Sequence, residues 1–106
     1  MNDIKRRLRK ARYLPRYIET EESLAKEAKT PMAVKKHKEA AEKGRKEYRA
    51  ILRYIGSIKD EWTRGAFILH YIEGKTWKRV AMLMEQTPDS VRMMCNRYME
   101  KHSSEL

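Results

Sequence analysis

Apolar positions along this chain fall three and four residues apart, the spacing that gathers side chains on one side of a helix. The longest run is Val34, His37, Ala41, Gly44, Tyr48, Ile51, Ile55 and Ile58, a heptad-like seam uninterrupted by proline. It predicts one long helix packed on a partner. Thr30 and Pro31 open it: the threonine hydroxyl caps a free N–H, and the proline sits where no intrahelical N–H bond is needed. Ala41 and Gly44 offer little area, so residues 34–44 also fit a frayed, solvated helix. Two partners suit the seam. One is the stretch from Pro15 to Lys29 folded back as a hairpin, with Ile18, Leu24, Ala25 and Ala28 available; the other is a second copy of the helix in a homo-oligomer.

The remaining elements follow the same rule. Ile4, Leu8 and Ala11 lie at helical spacing near the start, and Pro15 breaks or restarts that helix because its ring clashes with the preceding turn. Ser57 with Asp60 three residues on predicts a capped helix start. Trp62, Ala66, Phe67, Leu69 and Ile72 supply that helix with an apolar face, and Gly74 suits a left-handed stop. Lys75 to Tyr98 then divides into two short helices. Trp77, Val80, Ala81 and Met84 share a face of the first; Thr87 and Pro88 start the second, whose stripe is Val91, Met94, Cys95 and Tyr98. The expected fold is all-α, with a C-terminal helix-turn-helix preceded by a long charged helix or helical hairpin. The expected divisions are a basic helical extension over 1–54, the helix-turn-helix unit over 55–101 and a frayed tail over 102–106. Ile51, Ile55, Ile58, Trp62, Phe67, Leu69, Trp77, Val80, Met84, Val91 and Tyr98 make one hydrophobic set.

The second short helix leaves Asp89, Ser90, Arg92, Met93, Asn96 and Arg97 facing outward, a face of the kind that enters a major groove. Tyr71-Ile72-Glu73-Gly74-Lys75-Thr76-Trp77, then Val80-Ala81, Thr87 and Val91, resembles the sigma-70 region 4-like helix-turn-helix of small phage transcription regulators, the group that includes late-gene activators of the RinA and ArpU type. The resemblance covers residues 55–98 and, more loosely, the charged segment before them. Glu85 departs from the glycine that many members of the wider class carry near the turn. The resemblance implies a double-stranded DNA partner and control of phage late genes or a related switch, in the cytoplasm of a bacterial host. In a helix-turn-helix, Asp89, Ser90, Arg92, Met93 and Asn96 would approach base edges, while Lys75, Lys78, Arg79, Thr87 and Arg97 would approach phosphates.

Charge adds to this picture. The chain of 106 residues carries a formal +10, and nearly all of the excess is N-terminal: residues 1–56 hold 17 Lys and Arg against 8 Asp and Glu, residues 57–106 hold 8 against 7. The motif itself is only mildly basic, so the N-terminal half is the candidate source of the field that phosphate neutralisation requires. Lys5, Arg6, Arg7, Arg9, Lys10, Arg12 and Arg16 form a run without an acid, interleaved with Tyr13 and Tyr17. It fits a solvated helix face or frayed tail, a nucleic-acid arm, or a membrane-surface helix with a very narrow apolar side.

Other chemistry finds few residues. His37, His70 and His102 stand far apart with no ligand spacing, so no metal or cofactor is expected. The single cysteine, Cys95, lies on an apolar stripe and reads as a buried thiol. No nucleophile and base are arranged together and no Gly-rich phosphate loop occurs, so an enzyme is not expected. No segment has the apolar length of a membrane span, and the N-terminus has no signal-peptide core, so a cytoplasmic protein is expected. The five methionines from Met82 to Met99 either fill gaps in a small core or line an adaptable groove. Beside transcription control stand two alternatives: recognition of DNA for packaging, as in small terminase subunits, and docking on host RNA polymerase without reading DNA.

Overall fold

The computed structural model describes residues 2–106, and among these every regular element is helical. α1 (Asn2–Arg9) runs through a short 3₁₀ turn into α2 (Leu14–Glu27), which α3 (Pro31–Gly56) follows; α4 (Glu61–Phe67) widens into a π turn over Ile68–Ile72, and α5 (Trp77–Leu83) and α6 (Pro88–Lys101) complete the chain.

α2 and α3 form an antiparallel hairpin, the dominant packing between any two elements. Ala28 turns extended and Thr30 caps α3, its hydroxyl accepting the Ala33 N–H at 3.2 Å. The helices approach closely because Ala25, Ala41 and Gly44 leave little between them, with Ile18 filling the space over Gly44. Polar pairs flank this thin seam, a hydrogen bond of His37 with Glu21 at 2.6 Å and the ion pair of Arg45 with Glu22 at 2.6 Å. The face of α3 that sequence alone leaves open to a second copy is thus covered by α2 within the chain. Leu24, expected in the seam, instead lies at the edge, 39 % exposed.

The far end of α3 enters a second and larger core. Ile51, Tyr54, Ile55 and Ile58 meet Ala66, Phe67 and Tyr71, then Val80, Ala81 and Met84, then Val91, Cys95 and Met99. Tyr54, Phe67 and Tyr98 pack edge to face, with ring centroids 5.6–6.4 Å apart. Ile4, Leu8, Ala11 and Leu14 belong to this same core. The buried set therefore runs across residue 54, and the basic N-terminal run packs its apolar side into that set while Arg6, Arg9, Arg12 and Arg16 stay exposed. Arg7 fixes it: its guanidinium donates to both carboxylate oxygens of Glu47, at 2.9 and 2.7 Å, and to the Leu106 carbonyl. A bidentate charge-assisted pair is stronger than a neutral hydrogen bond. It holds the Glu47 carboxyl below its usual range.

Three further expectations change. The residues after Lys101, expected as a tail, lie against the rest of the chain: His102 stacks on Tyr98 at 4.2 Å, residues 103–105 make a 3₁₀ turn, and Leu106 packs on the core. The helix expected from Ser57 begins later, because the Ser57 hydroxyl donates to the Tyr54 carbonyl and closes α3, while Asp60 caps α4 by accepting the Thr63 N–H at 3.0 Å and the Thr63 hydroxyl at 2.6 Å. With its hydroxyl satisfied there, Thr63 takes the inward position beside Ala66 and Phe67. Trp62 falls outside the core, 55 % exposed.

Candidate nucleic-acid interface

α5 and α6 are joined at a tight turn. Thr76 caps α5 by accepting the Arg79 N–H at 3.1 Å, and Thr87 caps α6 by accepting the Ser90 N–H at 3.1 Å, with Pro88 in the first turn. Both threonine hydroxyls are therefore occupied by the backbone. Between the helices the Gln86 N–H returns to the Ala81 carbonyl at 2.9 Å, and Glu85 takes the left-handed region at φ 55°. The residue that departs from the resemblance is thus the one in the conformation glycine favours, so an L side chain is strained there. Val80, Ala81 and Met84 on α5 and Val91, Cys95 and Met99 on α6 face the core. Burial pushes the Cys95 thiol up to about 12, so it stays protonated and inert at neutral pH. Met99 joins the buried set in addition to the expected stripe, whose Met94 and Tyr98 are half-buried against it.

Opposite that stripe, Asp89, Ser90, Arg92, Met93 and Arg97 are exposed and Asn96 is half-buried. Arg92 is paired with Asp89 one turn back, and Ser90 donates to the Gln86 side chain at 3.2 Å. The Arg92 guanidinium is held over the N-terminal turn and must leave the carboxylate to reach a base. Met82, Leu83 and Met93 are also exposed, at 59, 47 and 50 %, while Met84 and Met99 fill the core, so the methionines divide between the two roles.

The start of α5 collects positive charge from two parts of the chain. Lys78 and Arg79 are exposed, and Lys75 lies 3.7 Å from Glu73. Gly74, at φ 76°, passes so close under Arg12 that a Cβ there would come 2.8 Å from the arginine Cδ. His70 organises this junction. Its ring stacks on Trp77 at 3.7 Å, and its Nδ1–H donates to the Lys75 carbonyl at 2.7 Å, an assignment required because a carbonyl only accepts. Burial, then the nearby Arg12 and Arg9, hold its pKa below 6.5 against the raising effect of that hydrogen bond. Sequence spacing singled out neither the His70–Trp77 stack, which folds back across the turn at Gly74, nor the approach of Arg12 to Gly74, which joins segments 62 residues apart and leaves no periodic trace. Of the basic run, Arg6, Arg9, Arg12 and Arg16 are exposed, Lys5 and Lys10 are partly covered, and Arg7 is committed to Glu47.

Among the described residues no group of His, Cys, Asp or Glu side chains is placed to hold a metal, and no helix is long and apolar enough to cross a membrane. Comparison with family models, curated proteins and solved structures found no match.

Proposed function

We propose that the chain is a sequence-specific double-stranded DNA-binding protein of transcription control, built on a helix-turn-helix of α5 and α6, with α6 as the reading helix. The observation that carries this reading is the face of α6: a capped N-terminal turn presents Asp89, Ser90, Arg92, Met93 and Asn96 outward while Val91, Cys95 and Met99 anchor the helix from behind. Arginine pairs with guanine and asparagine with adenine through two hydrogen bonds each, and Arg92 and Asn96 stand one turn apart. Lys75, Lys78, Arg79 and Arg97, joined by Arg12 over Gly74, supply phosphate contacts. The resemblance to phage regulators with a sigma-70 region 4-like motif supports a phage origin and a role at late promoters. A second reading, docking on RNA polymerase, is favoured by the exposed Met82, Leu83 and Met93 on these two helices.

The test begins by selecting bound fragments from a genomic library, which distinguishes promoter DNA, packaging-site DNA and no DNA. Arg92→Ala and Asn96→Ala should then leave circular dichroism and affinity for scrambled duplex unchanged while removing about 1–3 kcal/mol of preference for the selected site. Equal losses on both duplexes would reassign these residues to backbone contacts, and no loss on either would favour polymerase docking.

A further inference from the structure

Away from α5 and α6, the hairpin half carries a groove of about 720 Å³ where the turn after α1 meets α2 and α3. It is lined by the small residues Ala40, Gly44 and Ala50 of α3 and by Tyr13 and Tyr17. Tyr13 immediately precedes α2 and Tyr17 lies one turn into it, its N–H bonded to the Tyr13 carbonyl at 2.9 Å, so the two residues enter the groove from the same end of the helix. They are 55 % and 41 % exposed. Lys10, Lys43 and Lys46 line the same groove, and Lys36 lines its continuation past Tyr17. Among the described residues none of these four lysines lies within ion-pair distance of a carboxylate. The carboxylates nearby are mostly engaged elsewhere: Glu47 by Arg7, with Lys10 adding to the positive field on it, and Glu42 by Arg45 and Arg49. Glu39 also borders the continuation, and the balance stays positive.

We propose that this groove binds single-stranded nucleic acid, with bases stacked on Tyr13 and Tyr17 and phosphates held by Lys10, Lys43 and Lys46. A lone exposed aromatic residue is ordinary. Two exposed tyrosines lining a groove edged by lysines without a carboxylate partner are the combination that single-strand binders use, since every base has a π-face and the backbone needs only charge. A duplex keeps its bases stacked on one another and offers the tyrosines no face. An acidic peptide would satisfy the lysines but leave the rings without purpose. The site is separate from the α6 face, so either can fail without the other.

The test uses the full chain and a short fluorescein-labelled thymidine oligonucleotide, read by anisotropy. Tyr13→Ala with Tyr17→Ala should raise Kd about tenfold or more, whereas Tyr13→Phe with Tyr17→Phe, which keeps both rings, should change it by less than about twofold. Lys43→Gln with Lys46→Gln should weaken binding and lower the salt slope by roughly 1.4, about 0.7 for each phosphate contact on a single strand. Arg92→Ala with Asn96→Ala should leave oligonucleotide binding unchanged. Equal losses from the alanine and phenylalanine pairs, or full affinity in the lysine pair, would overturn the proposal. So would competition by polyglutamate as effective as that by unlabelled oligonucleotide, which would make the groove an acidic-protein surface. Should the alanine pair disturb the fold by circular dichroism, the exposed lysine pair decides: loss supports the site and retention overturns it. Retained oligonucleotide binding with no duplex binding would leave this site standing while refuting the reading helix.

Discussion

Alanine at Gly44 and alanine at Gly65 should move stability in opposite directions, although both glycines sit inside helices. Replacing a helical glycine by alanine gains about 1 kcal/mol from backbone entropy and helix propensity alone. At Gly65 an added Cβ meets no atom within 4 Å, so the gain is unopposed. At Gly44 the Cβ would stand 2.9 Å from Ile18 Cγ1 and 3.4 Å from the Tyr17 ring. Carbon atoms rest at roughly 3.5–4.0 Å, so α2 would have to retreat by ~0.6–1 Å or Ile18 leave its rotamer. Ile18 is β-branched and stiff at χ1, and overpacking of this kind costs about 1–3 kcal/mol. The expected net effect at Gly44 is a loss of up to ~2 kcal/mol, against a gain of ~0.5–1 kcal/mol at Gly65. For a domain of this size each kcal/mol shifts Tm by roughly 4–8 °C, within reach of thermal melts followed by circular dichroism. Adding Ile18→Ala to Gly44→Ala should relieve the clash, so the two losses should sum to more than the double variant shows. Stabilisation by Gly44→Ala equal to that by Gly65→Ala would refute the close approach of α2 and α3.

Glu85→Gly should raise stability by ~0.5–1 kcal/mol in urea titrations, because relief of left-handed strain exceeds the added freedom of the unfolded chain; a loss would mean the glutamate side chain stabilises the turn. Acidification should destabilise the protein in two steps. His70 has its folded pKa depressed below 6.5, so its contribution is complete above pH 6.5 and is lost as pH falls through the folded value, and Glu47, depressed below 4.5, adds a second loss at lower pH. His70→Gln should remove the first step from a series of melts across pH, and persistence of that step would assign it to another group. Arg9→Gln with Arg12→Gln should weaken target and scrambled duplex alike and reduce the salt slope by up to about 2, and an unchanged slope would show that the two arginines lie off the DNA path.

What the chain determined by itself is local. Thr30 and Thr87 lie at the starts of α3 and α6 because a hydroxyl placed before a helix satisfies a free N–H within three residues. The all-α character and the seam through Ile51, Ile55 and Ile58 follow from apolar spacing, which needs no knowledge of the partner. The outward face of Asp89, Arg92 and Asn96 was legible for the same reason, once Val91 and Cys95 marked the inward one. Tertiary structure decided everything that joins distant segments. Ile4, Leu8 and Ala11 under seven cations form the same narrow stripe whether solvated or packed, and only their burial with the residues of α3, α4 and α6 makes that helix part of the core. The Ser57–Asp60 pattern marks a helix start, yet Asp60 rather than Ser57 caps α4, because the Ser57 hydroxyl closes α3. Arg7 finds Glu47 forty positions away, Arg12 lies over Gly74, and Tyr13 and Tyr17 line a groove together with residues of α3. Periodicity tells which side of a helix is apolar; it carries no term for which helix will cover it, and that is set by where the chain's small residues let two backbones meet.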